Sequence, residues 1–435
     1  MKVYDAPNVR NAAIVGHGGS GKTALASALL FDAGAVNRLG RVDDGTTVTD
    51  FDPDEIERKI SLSAALAFAE WKKAKINLID APGYANFLAE ARSALRVADA
   101  AIVVVDAVAG VEVQTEKAWS YAEEAGVARL LIVNRMDRDN ASFERTLEGI
   151  QKAFGRAAVP VAVPIGEGKA FKGVVDLVSG QARLYADDAS GKFQAAEIPA
   201  AQADAAKAWR EKLVEMVAES NEDLMEEFFE KGTLSQEQLA KGLRTAVGAA
   251  KIYPVLPVSS LLNVGVHEVL DAIVELLPSP ADRGEAVGLA GKEAASRKPA
   301  ADAPLSAFVW KTTVDPHAGR ISLFRVYSGT LKSDSAVHNA TRDTAERVGS
   351  LLLLQGKNQT QVAEIQAGDI GAVAKLKDTQ TGDTLSDKAH PIVYPKVEFP
   401  EPATTFAIEP KTRGDDDKIS IALQRLLEED PVLRV

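Results

Sequence analysis

Residues 12–31 read AAIVGHGGSGKTALASALLF, and this stretch decides the fold. The apolar run 12–15 reads as a buried strand. Leu25, Ala28 and Leu29 share one face of a helix over 24–31, which Gly34 would stop. Between them, residues 16–23, GHGGSGKT, fit the pattern G-x-x-x-x-G-K-[ST] in the strand–loop–helix setting that its chemistry needs. Glycines let the backbone curl so that its N–H groups point at phosphate oxygens, and the helix N-terminus reinforces them. Gly16, His17, Gly18, Gly19, Ser20 and Gly21 are therefore expected to wrap a polyphosphate. Lys22 would neutralise its β- and γ-phosphates, and the Thr23 hydroxyl would ligate magnesium. The loop alone separates neither ATP from GTP nor a kinase from a switch.

The same rhythm continues outward. Runs 76–79, 100–105 and 130–133 read as buried strands, and 87–97 and 115–125 as helices, which predicts a mostly parallel sheet wrapped by helices. Residues 61–71 suggest an added edge strand before Lys72 and Lys73. From 159 to 251 the pattern changes to a short β-like start and a helical run, 204–230, with nine acidic residues against three basic ones. That excess reads as a solvated helix face, with a binding surface as the alternative. Residues 283–304 lack periodicity and read as a linker, and 305–398 are strand-rich with regularly spaced glycines, as in a compact β-barrel. A strand from Thr404 and a helix over 418–427 would open a third unit that Val435 leaves incomplete.

Composition narrows the class. The 435 residues are 46% apolar and 26% charged, an ordinary folded balance. With no cysteine, disulfides, thiolate nucleophiles, iron–sulfur clusters and cysteine-held zinc are excluded. The five histidines, His17, His267, His317, His338 and His390, have no metal-ligand spacing. No apolar run approaches the ~18–20 residues of a membrane span, and the N-terminus lacks a secretory pattern, so a cytoplasmic protein without membrane contact is expected. A net charge of −12 argues against a free nucleic-acid binder without excluding local RNA contacts.

Two further motifs choose the nucleotide. DAPGY, residues 80–84, ends a strand: Asp80 can hold magnesium through water, and the Gly83 amide can approach a γ-phosphate. NRMD, residues 134–137, follows another strand. The Asp137 carboxylate can accept from N1–H and the 2-amino group of guanine, whereas adenine would leave it unpaired. Asn134 would brace the loops, and the Arg135 stem could lie along the base.

GHGGSGKT, DAPGY, NRMD and VSSLLNVGV (residues 258–266) together resemble the guanine-nucleotide motifs of translational GTPases, most closely bacterial elongation factor G. IGEGKAFKGVVDLV resembles that factor's inserted subdomain, AGDIGAVAKLKDTQTGDTL its β-barrel domain, and AIEPKTRGDDDKISIALQRLLEEDP the start of its third. The likeness implies a GTP-binding α/β domain over 1–282 with an α+β insert at about 159–251 and a linker at 283–304. A β-barrel over 305–400 and the start of an α+β ferredoxin-like domain over 401–435 would follow. It also implies that Ser259, Ser260 and Leu261 contact guanine, and that Ser61 supplies the metal-ligating hydroxyl given elsewhere by threonine. Tyr84 stands where the family has a water-positioning histidine, so either a catalytic role or a packing aromatic fits it. Arg135 replaces lysine, and ERKIS replaces the usual RGIT, changes that resemble a divergent subgroup of elongation factor G-like proteins.

The expected activity is GTP hydrolysis to GDP and phosphate by Lys22, Gly83 and Tyr84 with magnesium. The expected partner of this monomer is the ribosome, through its RNA, its proteins and its stalk. A catalytically slow ribosome-associated regulator, a ribosomal protection protein and an ATP-using P-loop enzyme are the alternatives; NRMD speaks against the last.

Overall fold

The computed structural model describes residues 2–435 apart from 316–318, 400, 402–403, 411 and 413–414, so His317 lies outside the described residues. Residues 10–283, with 355–357, form one compact unit, and the remainder of the chain forms a second.

In the first unit the elements run β1 (Val9–Gly16), α1 (Lys22–Asp32), α2 (Pro53–Arg58), β2 (Ala65–Trp71), β3 (Ala74–Asp80), α3 (Leu88–Val97) and β4 (Ala100–Asp106). They continue with α4 (Val113–Glu124), β5 (Ala128–Asn134), α5 (Phe143–Phe154) and β6 (Ala158–Pro160). An insert follows, made of β7 (Ala162–Ile165), β8 (Gly173–Asp176), β9 (Gln181–Tyr185), β10 (Phe193–Ala196), α6 (Ala200–Glu219), α7 (Glu222–Lys231) and α8 (Gln236–Gly248). Strand β11 (Tyr253–Pro257) and helix α9 (Val266–Glu275) return to the main body. The main sheet has the order β2-β3-β1-β4-β5-β11-β6. Pairs β1–β4, β4–β5, β5–β11 and β11–β6 are parallel, with Gly16 opposite Val104 and Asp106 opposite Asn134. Strands β1, β3, β4 and β5 are buried along their whole length, as a sheet covered by helices on both faces requires. Hence residues 12–15, 100–105 and 130–133 read as unbroken apolar runs, while β3 buries Lys75 and Asn77 among its apolar residues.

The expected edge strand over 61–71 is the shorter β2. It pairs antiparallel with β3 through a turn at Lys72 and Lys73, both at positive φ, the geometry of a tight hairpin. The acidic run read as one helix is divided between α6 and α7 at Ser220–Asn221. There the Asn221 side chain accepts from Leu224 N at 3.1 Å and caps the second helix. Residues 158–160 join the main sheet beside Tyr253 and Val255, so the insert's own four-stranded sheet, β10-β9-β8-β7, begins at Ala162.

In the second unit, an eight-stranded sheet centres on the antiparallel pair Ser306–Asp315 and Gly319–Ser328, with Phe308, Trp310 and Phe324 buried. The segment expected as a linker, 283–304, carries a hairpin of Ala286–Ala290 and Glu293–Arg297. Its Val287 and Leu289 face solvent, so the pairing is held by cross-strand backbone bonds and leaves little apolar alternation to read. The strand expected from Thr404 is absent: residues 404–410 are irregular, with Phe406 and Ile408 exposed, because a strand needs a neighbour to satisfy its backbone. The helix expected over 418–427 spans Asp416–Glu429, and its Glu429 accepts from Val314 N at 2.6 Å. Among the described residues no helix is long and apolar enough to cross a membrane.

Candidate nucleotide-binding site

The sheet brings the carboxyl ends of β1, β3, β4 and β5 together, and with them Gly16, Asp80, Asp106 and Asn134. A crevice beyond such strand ends is where open α/β sheets take ligands. A cavity of about 280 Å³ lies there. Of the residues expected to act, Gly18, Gly19, Gly21, Lys22, Thr23, Ser61, Gly83, Tyr84, Asn134, Arg135, Asp137, Ser260 and Leu261 line it. Gly16, His17, Ser20, Asp80 and Ser259 do not, and each supports a residue that does or sits beneath the site.

The phosphate end is built by backbone. Lys22 is buried, and its Nζ donates to Gly16 O at 3.1 Å and His17 O at 2.8 Å. Burial, only partly offset by Asp80 and Asp50, lowers its pKa to about 8. A Cβ at residue 83 would collide with that ammonium group and with Gly16 O, so only glycine fits there. Gly21 has φ +89°, and a Cβ on it would collide with Asn134 Nδ2. Glycine is required at that position by both conformation and space.

Next to Lys22 sits a cluster of oxygens. Thr23 Oγ1 and Ser61 Oγ are 3.1 Å apart, Ser61 Oγ donates to Asp50 Oδ1 at 2.7 Å, and Thr49 Oγ1 donates to Asp80 Oδ2 at 2.7 Å. Asp80 Oδ1 is buried with no hydrogen-bond partner among the described residues. Burial, and then repulsion from Asp80, pushes Asp50 up to about 6, and burial raises Asp80 as well. Two buried carboxylates, one of them with an orphaned oxygen, and the hydroxyls of Thr23, Ser61 and Thr49 form a hard, anionic oxygen set, which fits a magnesium ion.

The base end is organised by Asn134. Its Nδ2 donates to Ser20 O at 3.0 Å and Gly21 O at 3.3 Å. Its Oδ1 accepts from Ser260 N at 3.1 Å and Ser260 Oγ at 2.9 Å. One side chain thus ties the phosphate loop to residues 259–265. Asp137 lines the cavity with one oxygen already engaged, since Ser259 Oγ donates to its Oδ1 at 2.5 Å. Of the backbone and hydroxyl groups of Ser259 and Ser260 expected at the guanine carbonyl, the Ser259 hydroxyl is fully buried and braces Asp137 from behind. Arg135 has positive φ, and its Nη1 donates to Asp106 Oδ2 at 3.0 Å, which holds the guanidinium stem along the cavity wall.

Comparison with known proteins agrees with this arrangement. A family profile described as the elongation factor Tu GTP binding domain matches residues 7–279, elongation factor G domain 2 matches 304–388, and elongation factor G domain III matches 399–435. The chain is a translational GTPase of the elongation factor G type. A crystal structure of a protein from Thermus thermophilus is similar at 33% identity and a TM-score of 0.87, over 98% of this chain and 62% of that one. This chain therefore spans less than two thirds of the length of that protein.

Several residues of this translational GTPase site had no local signal. Asp50 and Thr49 sit in the irregular stretch after α1, among Asp43, Asp44, Asp52 and Asp54, where no periodicity says which carboxylate turns inward. Arg41 and Arg138 line the cavity, and only Arg138, next to NRMD, could have been suspected. Tyr84 is 42% exposed. Its ring lies so close over Gly18 that a Cβ there would be 2.9 Å away. Among the described residues its hydroxyl has no hydrogen-bond partner. The four described histidines each face a carboxylate: His17 Glu112, His267 Asp32, His338 Asp343 and His390 Asp387.

Proposed function

We propose that this translational GTPase binds GTP with magnesium, hydrolyses it slowly alone and faster on the ribosome, and couples hydrolysis to movement there, as in translocation. The Asn134 bridge carries the reading, because it sets the phosphate loop and Asp137 at opposite ends of one cavity. Asp137 reads the base, with Ser260 and Leu261 beside it and the Arg135 stem along its face. Thr23, Ser61, Asp50 and Asp80 are the residues that would hold magnesium, which when bound neutralises charge on the phosphates.

Lys22 moves from the Gly16 and His17 carbonyls to the phosphate oxygens, and the Gly83 amide donates to the γ-phosphate. Tyr84 orients the attacking water: a phenol donates one hydrogen bond and accepts another, but it cannot carry the positive charge of an imidazolium. Positioning and charge stabilisation make up most of phosphoryl-transfer catalysis, so slow intrinsic turnover follows. Release of the segment holding Asp50 and Ser61 after hydrolysis would reset the rest of the chain. The partners are ribosomal RNA and ribosomal proteins, the stalk included, and the place of action is the cytoplasm.

A second reading, a slow GTP-binding regulator on the ribosome, is favoured by the exposure of Tyr84 and its unpartnered hydroxyl. Single-turnover GTP hydrolysis with and without ribosomes separates the two. The parent should be stimulated, Tyr84→Phe should lower the stimulated rate about tenfold at unchanged GTP affinity, and Tyr84→His should at least match the parent. No stimulation of any variant leaves the regulator. Displacement of GTP by excess ATP refutes both readings.

A further inference from the structure

Behind the nucleotide cavity lies a buried carboxylate that the proposed function does not use. Asp32 is the last residue of α1, at the opposite end from Lys22 and Thr23, and its side chain is 1% exposed. Its Oδ1 accepts from Asn263 Nδ2 at 2.6 Å, and its Oδ2 lies 3.0 Å from His267 Nδ1. Asn263 sits two residues past Leu261, in left-handed backbone and fully buried. Its Nδ2 also donates to Ala189 O at 3.3 Å, in the loop between β9 and β10 of the insert. Gly191 of that loop packs so tightly that a Cβ would collide with Asp32 Oδ1 and approach Asn263 Nδ2 to 2.7 Å. His267 is held in turn by the ring edges of Trp71 and Phe193, at 5.4 and 5.2 Å between centroids.

We infer that Asp32 is a positioning residue for guanine binding: it fixes the loop that carries Ser260 and Leu261, and the β9–β10 loop of the insert holds it in place. The inference rests on the guanine-binding reading. Residues 259 and 264 close the loop by exchanging N–H···O bonds, each 3.0 Å, so anchoring Asn263 anchors the segment that reaches Asn134 and lines the cavity. The bond from Asn263 to Asp32 has a charged acceptor in a dry setting, the stronger class of hydrogen bond. An anchored loop binds without the cost of being ordered. The phosphate loop lies the length of α1 away, about 16 Å at 1.5 Å per residue, and is joined to residues 259–265 through the Asn134 side chain rather than by this contact. Loss of Asp32 should therefore weaken the base end alone.

The test measures release of a fluorescent N-methylanthraniloyl-GDP and, separately, the affinity for inorganic tripolyphosphate, which lacks a base. Asp32→Asn should release the nucleotide about tenfold faster, the scale of one lost charge-assisted bond, while tripolyphosphate binds as to the parent. Asn263→Gly, which keeps the left-handed backbone and removes the donor, should do the same even if Asp32→Asn folds poorly. The double variant should release no faster than the more affected single, because both remove one contact. Gly191→Ala, which pushes the insert's loop off Asp32, should shift release in the same direction. Parental release in Asp32→Asn and Asn263→Gly overturns the inference, as does an equal loss of GDP and tripolyphosphate affinity, which would mean general loosening of α1. A parent that binds tripolyphosphate but no guanine nucleotide overturns the guanine-binding reading and this inference together.

Discussion

Exchanging Asp137 for asparagine should move the base preference from guanine to xanthine, and the structure fixes which way the new amide turns. Ser259 Oγ accepts from Leu262 N at 3.1 Å, so its own proton is committed to Asp137 Oδ1 at 2.5 Å. In Asp137→Asn the amide oxygen keeps that bond, and Nδ2 takes the place of the oxygen left for the ligand. Guanine offers N–H donors at N1 and on its 2-amino group, so donor then meets donor. Two hydrogen bonds to a carboxylate are at stake, at about 1.5–3 kcal/mol each. The expected loss is about 3–6 kcal/mol, or roughly 10²–10⁴-fold in GDP affinity. Xanthine carries a carbonyl where guanine has the amine, accepts from Nδ2, and should recover most of that loss. Competition of GDP and xanthosine diphosphate against a fluorescent GDP reads both affinities. Adding Ser259→Ala to Asp137→Asn removes the donor that orients the amide and should narrow the discrimination. GDP binding at the parental level in Asp137→Asn, with no gain for the xanthosine nucleotide, would refute base reading by Asp137.

Two other outcomes test the frame around the site. Gly21→Ala places a methyl group against Asn134 Nδ2 at φ +89°; it should cost about 1–3 kcal/mol of backbone strain and lower GDP affinity at least tenfold, measured by fluorescence titration. In the second unit, Glu346 accepts from the backbone N–H groups of Lys377, Asp378 and Thr379 and from Thr379 Oγ1, at 2.8–2.9 Å. Burial pushes its pKa up, but these bonds outweigh burial and hold it below the usual carboxylate value. A depressed folded pKa gives stability that is present above the unfolded value and lost as pH falls through the folded one. Glu346→Gln turns an amide donor toward an N–H group and should cost about 1–2 kcal/mol at pH 7 after allowance for solvent screening. The penalty should shrink at an acid pH below that lowered folded value, where the parent's carboxylate is itself protonated. Chemical denaturation at the two pH values checks this, and an equal penalty at both would refute the role of the charge.

The candidate phosphate loop was legible because its residues are contiguous. The turn needs glycines, Lys22 and Thr23 follow at once, and the flanking strand and helix carry their own hydrophobic periods. DAPGY and NRMD were legible for the same reason, each being a strand end with its functional atoms within four residues. The irregular stretch after α1 gave no such help, and Asp50 was passed over there. The Ser259 hydroxyl supports Asp137 across 122 residues of chain, a contact no local pattern carries. The hairpin at 286–297 and the break between α6 and α7 were also missed, the first because its apolar residues face solvent, the second because its cap is one asparagine in an otherwise helical run.

From sequence alone came the parallel α/β domain with its insert, the barrel that follows, and the order of the guanine-nucleotide motifs, all of which depend on neighbours within a turn or a strand. The tertiary structure alone decided which carboxylates converge beside Thr23, that Asn134 joins both ends of the cavity, and that Asp32 meets Asn263 from 231 residues away. The division is physical. Backbone curvature and hydrophobic period are properties of a few consecutive residues, whereas a buried polar contact exists only once the chain has packed and each donor has had to find an acceptor.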